Sequence, residues 1–230
     1  MAEKNKQQVS VLFMMCCLVS TVCLIAANVF ETKQISFFGH SQTGGVIVFP
    51  ISYIMNDVVC EVWGFKKSRL LIWISFLLNF CFVGIGAICD ALPGADYWDN
   101  DAGFHAIFGL VPRIAAASFI AFFCGSFVNA YVMSRMKVAH GNRLFALRAI
   151  GSTIVGEAAD SAIFFPLALG GVIPWDELPW LMLYQVILKT TYEVVALPLT
   201  THIVRRVKDY EGTDVTDTDE AYNIWRVFDL

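Results

Sequence analysis

The stretch FPISYIMNDVVCEVWG, residues 49–64, poses the question on which the fold turns. It reads as an apolar helix, yet Asn56, Asp57 and Glu61 sit inside it. Tyr53, Asp57 and Glu61 recur at i, i+4 and i+8, so a helix carries them on one face. On a soluble helix that stripe would face water. Here the rest of the chain points to a different solvent. Of 230 residues, 57% are hydrophobic and only 16% charged, whereas soluble domains carry about a quarter charged.

Working outward, residues 9–30 and 70–89 contain no charge at all, and about twenty such residues cross the hydrocarbon of a bilayer. Six spans are expected, over 9–30, 43–62, 70–89, 112–134, 148–173 and 180–204. The fold class is therefore all-α: a polytopic membrane protein with six transmembrane helices in one bundle. Residues 1–208 form the transmembrane domain and 209–230 an acidic, Thr-rich cytoplasmic tail. The tail is expected to be solvated and mobile, with a docking motif as the alternative. Lys4 and Lys6 before the first run suit a signal peptide. The run is longer than an h-region of about 7–15 residues, and no small-x-small cleavage site follows it, so a retained span is expected.

Basic residues set the orientation. Lys4 and Lys6 precede the first span, and Lys66, Lys67 and Arg69 separate the second and third. Arg135, Lys137, Arg143 and Arg148 fall between the fourth and fifth, and Arg205, Arg206 and Lys208 follow the sixth. The alternate loops hold only Lys33 and, at the lip of span four, Arg113. Both termini are thus expected in the cytoplasm, with residues 90–111 outside.

Several chemistries lack their residues. The cysteines (16, 17, 23, 60, 81, 89 and 124) lie in or beside spans without a C-x-x-C pair, so small buried apolar residues are expected rather than disulfides or a metal site. His40, His105, His140 and His202 form no H-E-x-x-H, and no P-loop or G-x-S-x-G is present. No nucleophile and base meet at membrane depth, as an intramembrane hydrolase would need. No enzyme activity, metal or other cofactor is expected.

Depth along the spans groups the charges that remain. Counted from the outer face, Asp57 lies about 21 Å in, Glu157 about 23 Å, Asp160 about 18 Å, Lys189 about 13 Å and Glu193 about 19 Å. Buried charges in a membrane face a protein interior or a wet cavity. Glu157, Asp160, Ser161 and Phe164 share one face of span five, and Gln185, Lys189 and Glu193 one face of span six. Three stripes converging on one layer describe a pocket for a polar, planar ligand. An interhelical ion-pair lock is the plainer reading, but one lysine cannot neutralise four acids. Lys189 is expected against Asp160 or Glu193. In span four, Ala117, Ala121 and Gly125 make a close-packing ridge, and Asn129 follows it as a further candidate for the pocket lining. Arg113 is either an interface anchor or an entrance guard. Glu61, one turn from Asp57, lies near the cytoplasmic bases and is expected to gate or anchor.

Four stretches resemble a known family. FPISYIMNDVVCEVWG, RIAAASFIAFF (113–123), GEAADSAIF (156–164) and KTTYEVVALPLT (189–200) are similar to signature stretches of the queuosine precursor transporter family. The resemblance runs across essentially all six spans. It implies import of 7-deazaguanine bases, the cyano and aminomethyl precursors of a tRNA modification, through the bacterial inner membrane. It also implies a bundle like the substrate-binding subunits of energy-coupling-factor transporters. The matching positions are Phe49, Pro50, Tyr53, Asp57, Glu61, Arg113, Ser118, Gly156, Asp160, Phe164, Lys189, Glu193 and Pro198. Glu157 departs from the pattern, where an amide is the family expectation.

The chemistry of such a base suits the pocket. A guanine-like edge presents a ring N–H and an NH₂ that one carboxylate accepts together. Tyr53, Phe164 or Phe49 would stack on its face, and Lys189 or Gln185 would donate to its carbonyl. Expected partners are this small molecule and the lipid bilayer, with no nucleic acid and a homodimer as the candidate oligomer. The rival reading is a binding subunit of another small-molecule or vitamin uptake system that needs a separate energising partner.

Overall fold

The computed structural model describes residues 10–37, 40–109, 111–140, 144–170, 174–176 and 178–216. Six helices follow in order: α1 (Val11–Phe30), α2 (Phe49–Ala91), α3 (Asp101–Phe108), α4 (Val111–His140), α5 (Phe145–Leu169) and α6 (Leu178–Glu211). Ser10 opens α1 by accepting a hydrogen bond from the Phe13 amide on its Oγ, the usual way an N-cap satisfies a free N–H. Between α1 and α2 lie a short antiparallel ribbon, β1 (Gln34–Phe37) and β2 (His40–Thr43), and one 3-10 turn at Gly44–Ile47.

α2 covers two of the expected spans without an intervening loop. Gly64 alone leaves helical geometry, at φ 83° and ψ 174°, a backbone region essentially reserved for glycine. The chain doubles back there. Ser68 Oγ donates to Asn56 Oδ1 at 2.6 Å, although twelve residues of straight helix would separate them by about 18 Å. The connection expected around Lys66, Lys67 and Arg69 is thus one residue long, and those bases begin the second arm. The tight elbow also lets α1 run beside both arms. Phe13 packs edge-on against Trp63, Ser52 Oγ reaches the Ser20 carbonyl, and Thr21 and Asn28 bond Ser75 and Asn79.

Polarity is distributed inside out. Leu18, Val22, Leu77, Phe80, Ile85, Ile187, Val195 and Leu199 are exposed, while Asp57, Glu61, Asn129, Arg148, Glu157 and Lys189 are buried. In water this would be costly on both counts; in lipid it is what stability requires. Among the described residues, three stretches are long and apolar enough to cross a membrane by length and composition: Val11–Phe30, Gly44–Ala91 and Ala116–His140. α5 and α6 carry the acids and the lysine of the central layer and are less apolar.

Two seams fix α4. Trp73 and Phe76 of the second α2 arm pack against Phe119, Phe123 and Phe127. On its other side α4 lies close against α5, because Gly156 has no side chain. A Cβ there would stand 2.8 Å from Asn129 Cβ and 3.0 Å from the Gly125 carbonyl. Gly156 thus lets α5 approach α4 closely beside Gly125 and Asn129. Residues 90–111, expected as a plain connection, contain α3, and α6 runs on to Glu211 before Gly212 ends it at φ 61°.

Candidate functional site

α5 and α6 face each other through a buried ion cluster. Lys189 Nζ stands 2.7 Å from Glu157 Oε2 and 3.5 Å from Asp160 Oδ2. Of the two partners expected for Lys189, Asp160 is engaged; the shorter pair is with Glu157, and Glu193 is not in the cluster. Across the layer, Asn129 Nδ2 donates to Asp57 Oδ1 at 2.8 Å. All of these side chains are buried.

Glu193 stands apart. It lies one turn beyond Lys189 and is 4% exposed, and neither carboxylate oxygen has a hydrogen-bond partner among the described residues. The Thr153 hydroxyl is the polar group that faces it.

Toward the α1–ribbon end, Glu31, Ser118, Asp160, Phe164, Gln185 and Lys189 line a void of about 10 Å³, room for about one water. Ser118 Oγ donates to Glu31 Oε2 at 3.3 Å. Sequence reasoning missed Glu31; the available signal was that it is the first charge after the uncharged run 9–30. Arg113 lies farther out, exposed, with Nη2 on the Gly170 carbonyl at 3.0 Å, tying the start of α4 to the end of α5. The side chains of Phe49 and Tyr53 lie outside the described residues.

At the opposite end Glu61 is the hub. Arg148 and Lys208 each reach its Oε1 at 2.7 Å, and Lys137 stands 4.0 Å away. The bases around it thus include one each from α4, α5 and α6, far from it in sequence. Lys137 spends its three donors on the Glu61 carbonyl, Asp214 Oδ1 and the Val215 carbonyl. Val215 N in turn bonds the Val62 carbonyl. The first residues of the tail are therefore docked on the elbow of α2. Asp214 holds its proton less tightly than usual: burial pushes its pKa up, but hydrogen bonds from Lys137 and Lys208 outweigh that. Beside Glu61, Phe145, Thr201, Arg205 and Lys208 help line a cavity of about 470 Å³.

Buried polar groups are thus found at Lys189 with Glu157 and Asp160, at Glu193 and at Glu61, and a partly buried one at Glu31. A family described as "Putative vitamin uptake transporter" matches residues 43–203. The chain is 29% identical over 182 residues to the "Probable queuosine precursor transporter" of Bacillus subtilis (strain 168), covering 78% of this chain and 77% of that protein. It is 27% identical over 148 residues to the "Queuosine precursor transporter" of Escherichia coli (strain K12), covering 63% of each. No solved structure matches it. The relatives are transporters, not enzymes.

Proposed function

We propose that this chain, which belongs to the vitamin uptake transporter family, imports queuosine precursors, 7-deazaguanine bases, past these polar groups. The reading takes α1, the two arms of α2, α4, α5 and α6 as six spans in the bacterial inner membrane, with both termini cytoplasmic. It treats residues 1–208 as one transport unit, with a bundle like the binding subunits of energy-coupling-factor transporters, followed by the tail.

The observation that carries it is the Glu193 carboxylate. A carboxyl buried with no charged partner and only a threonine hydroxyl beside it is costly, and a site that keeps one is suited to a ligand bringing its own donors. A guanine-like edge brings two, a ring N–H and an exocyclic NH₂, in the spacing one carboxylate accepts. Lys189, one turn away along α6, is placed to donate to the ring carbonyl, as is Gln185, and Phe164 offers an apolar face to stack on. Asp57, held by Asn129, closes the inner side. The void is far smaller than a base, so the helices must part for the ligand to enter. Glu61, with its bases, serves in this reading as the inner gate.

Purified protein tested against a panel of 7-deazaguanines and adenine tests the reading directly. Binding of the deazaguanines, with adenine rejected and the Glu193→Gln variant weakened about tenfold or more, is the expected result. Failure of every deazaguanine to bind would overturn it. Uptake by this chain alone, in a strain without any coupling module, is expected as well. Binding without such uptake would assign the chain to the rival class, a subunit needing an energising partner.

A further inference from the structure

The acid that sequence reasoning missed stands in a built position. Glu31 lies at the end of α1, where the chain turns into the ribbon, and two glycines from the far side of that ribbon press against this end of the helix. A Cβ on Gly45 would stand 2.5 Å from Glu31 Cγ, and one on Gly44 would stand 2.8 Å from the Phe30 carbonyl. Neither glycine has a positive φ; what their lack of a side chain provides here is close approach. The Glu31 stem thus lies against the Gly45 backbone beside the end of α1, and its carboxylate is turned to Ser118 and the void.

The charge balance around that void is uneven. Lys189 is the one cation among its lining residues, and it is drawn to Glu157 and Asp160 at 2.7 and 3.5 Å. Among the described residues Glu31 receives one hydroxyl hydrogen bond, of 3.3 Å, near the long limit for such bonds. With Glu31, Glu157 and Asp160 against one lysine, the outer half of the pocket has room for a further positive charge. Glu193, the acceptor of the base edge in the function proposed above, lies beyond Lys189, about 6 Å farther along α6. A planar base seated there would direct its opposite end toward Glu31.

We propose that Glu31 is a specificity-determining residue, the carboxylate that receives a protonated primary amine on the substrate, and that Gly45 positions it. This rests on the function proposed above and deepens it: the preferred substrate is a deazaguanine carrying a cationic aminomethyl arm. A base with a neutral nitrile in that place would gain nothing from Glu31.

The test compares binding and uptake of 7-aminomethyl- and 7-cyano-7-deazaguanine by wild type, Glu31→Gln, Glu31→Asp and Gly45→Ala, at equal amounts of folded protein. Glu31→Gln keeps the shape and removes the charge, so the preference for the amine over the nitrile should fall about tenfold or more. Gly45→Ala, which displaces the Glu31 stem, should reduce the same preference with the carboxylate still present, and Glu31→Asp should retain part of it. An unchanged ratio in Glu31→Gln, or an equal loss for both bases, would overturn the role of Glu31 while leaving the transport function intact. Wild type that binds neither base would overturn both proposals together.

Discussion

At the scale of single residues, Lys189 carries the sharpest consequence. It is the counter-charge of Glu157 and Asp160, and removing one partner from a buried ion pair leaves an uncompensated charge. Lys189→Ala should therefore cost roughly 3–5 kcal/mol, read as a large fall in the thermal midpoint of the detergent-solubilised protein. Glu157→Gln removes the acid instead and leaves Lys189 paired with Asp160, so its midpoint should stay within a few degrees of wild type. Combining the two should recover part of the loss, because the residues act as one unit and their effects do not add. A Lys189→Ala protein as stable as wild type would show that the cluster does not hold α5 to α6. Glu193 differs from Lys189 in having no charged partner among the described residues, so its neutralisation should not destabilise the fold.

At the scale of elements, the elbow in α2 decides the architecture. Gly64→Ala places a Cβ at φ 83°, which costs of order 1–3 kcal/mol and favours a straighter helix that would pull Ser68 from Asn56. The expected outcome is a sharp drop in folded, monodisperse protein, whereas Gly84→Ala, with open space around its Cβ position, should be neutral; equal yields for both variants would mean that the elbow tolerates a side chain. Sequence made the apolar runs legible because hydrophobic length alone specifies them, and it grouped Glu157, Asp160 and Lys189 because helical depth is countable. A one-residue elbow looks like any short basic loop in sequence, since nothing in the composition of residues 62–70 distinguishes a turn from a doubled-back helix. The partners of Glu61 were illegible for another reason: Arg148 and Lys208 lie 87 and 147 positions away, and only the packing of α5 and α6 brings them in. Glu31 was hidden by its place outside the span, where an acid ordinarily faces water.

For the whole molecule, the two ends differ in kind, and that difference fixes how it should sit in a membrane. One end gathers Lys137, Arg148 and Lys208 around Glu61, at the elbow of α2, with the first tail residues docked on them. The other carries the exposed segment from Asp90 to Asp101, with acids at Asp90, Asp96, Asp99 and Asp101 and no base. Bases near span ends stay in the cytoplasm, so the Glu61 end should be inside and the acidic segment outside. The inside-out burial supports the same geometry, since the apolar girdle lies between these ends. The experiment needs a variant stripped of its seven free cysteines, with one cysteine returned at Asn100 or at Thr216. Asn100 is exposed just before α3, and its cysteine should react with a membrane-impermeant maleimide on intact spheroplasts. Thr216, one residue past the contact between Val215 and the α2 elbow, should react only after the membrane is opened. The reverse pattern would invert the molecule in the membrane. It would then place Glu31 and its void on the cytoplasmic side, where an importer releases its substrate, and the path proposed for the substrate would have to be read from Glu61 inward instead.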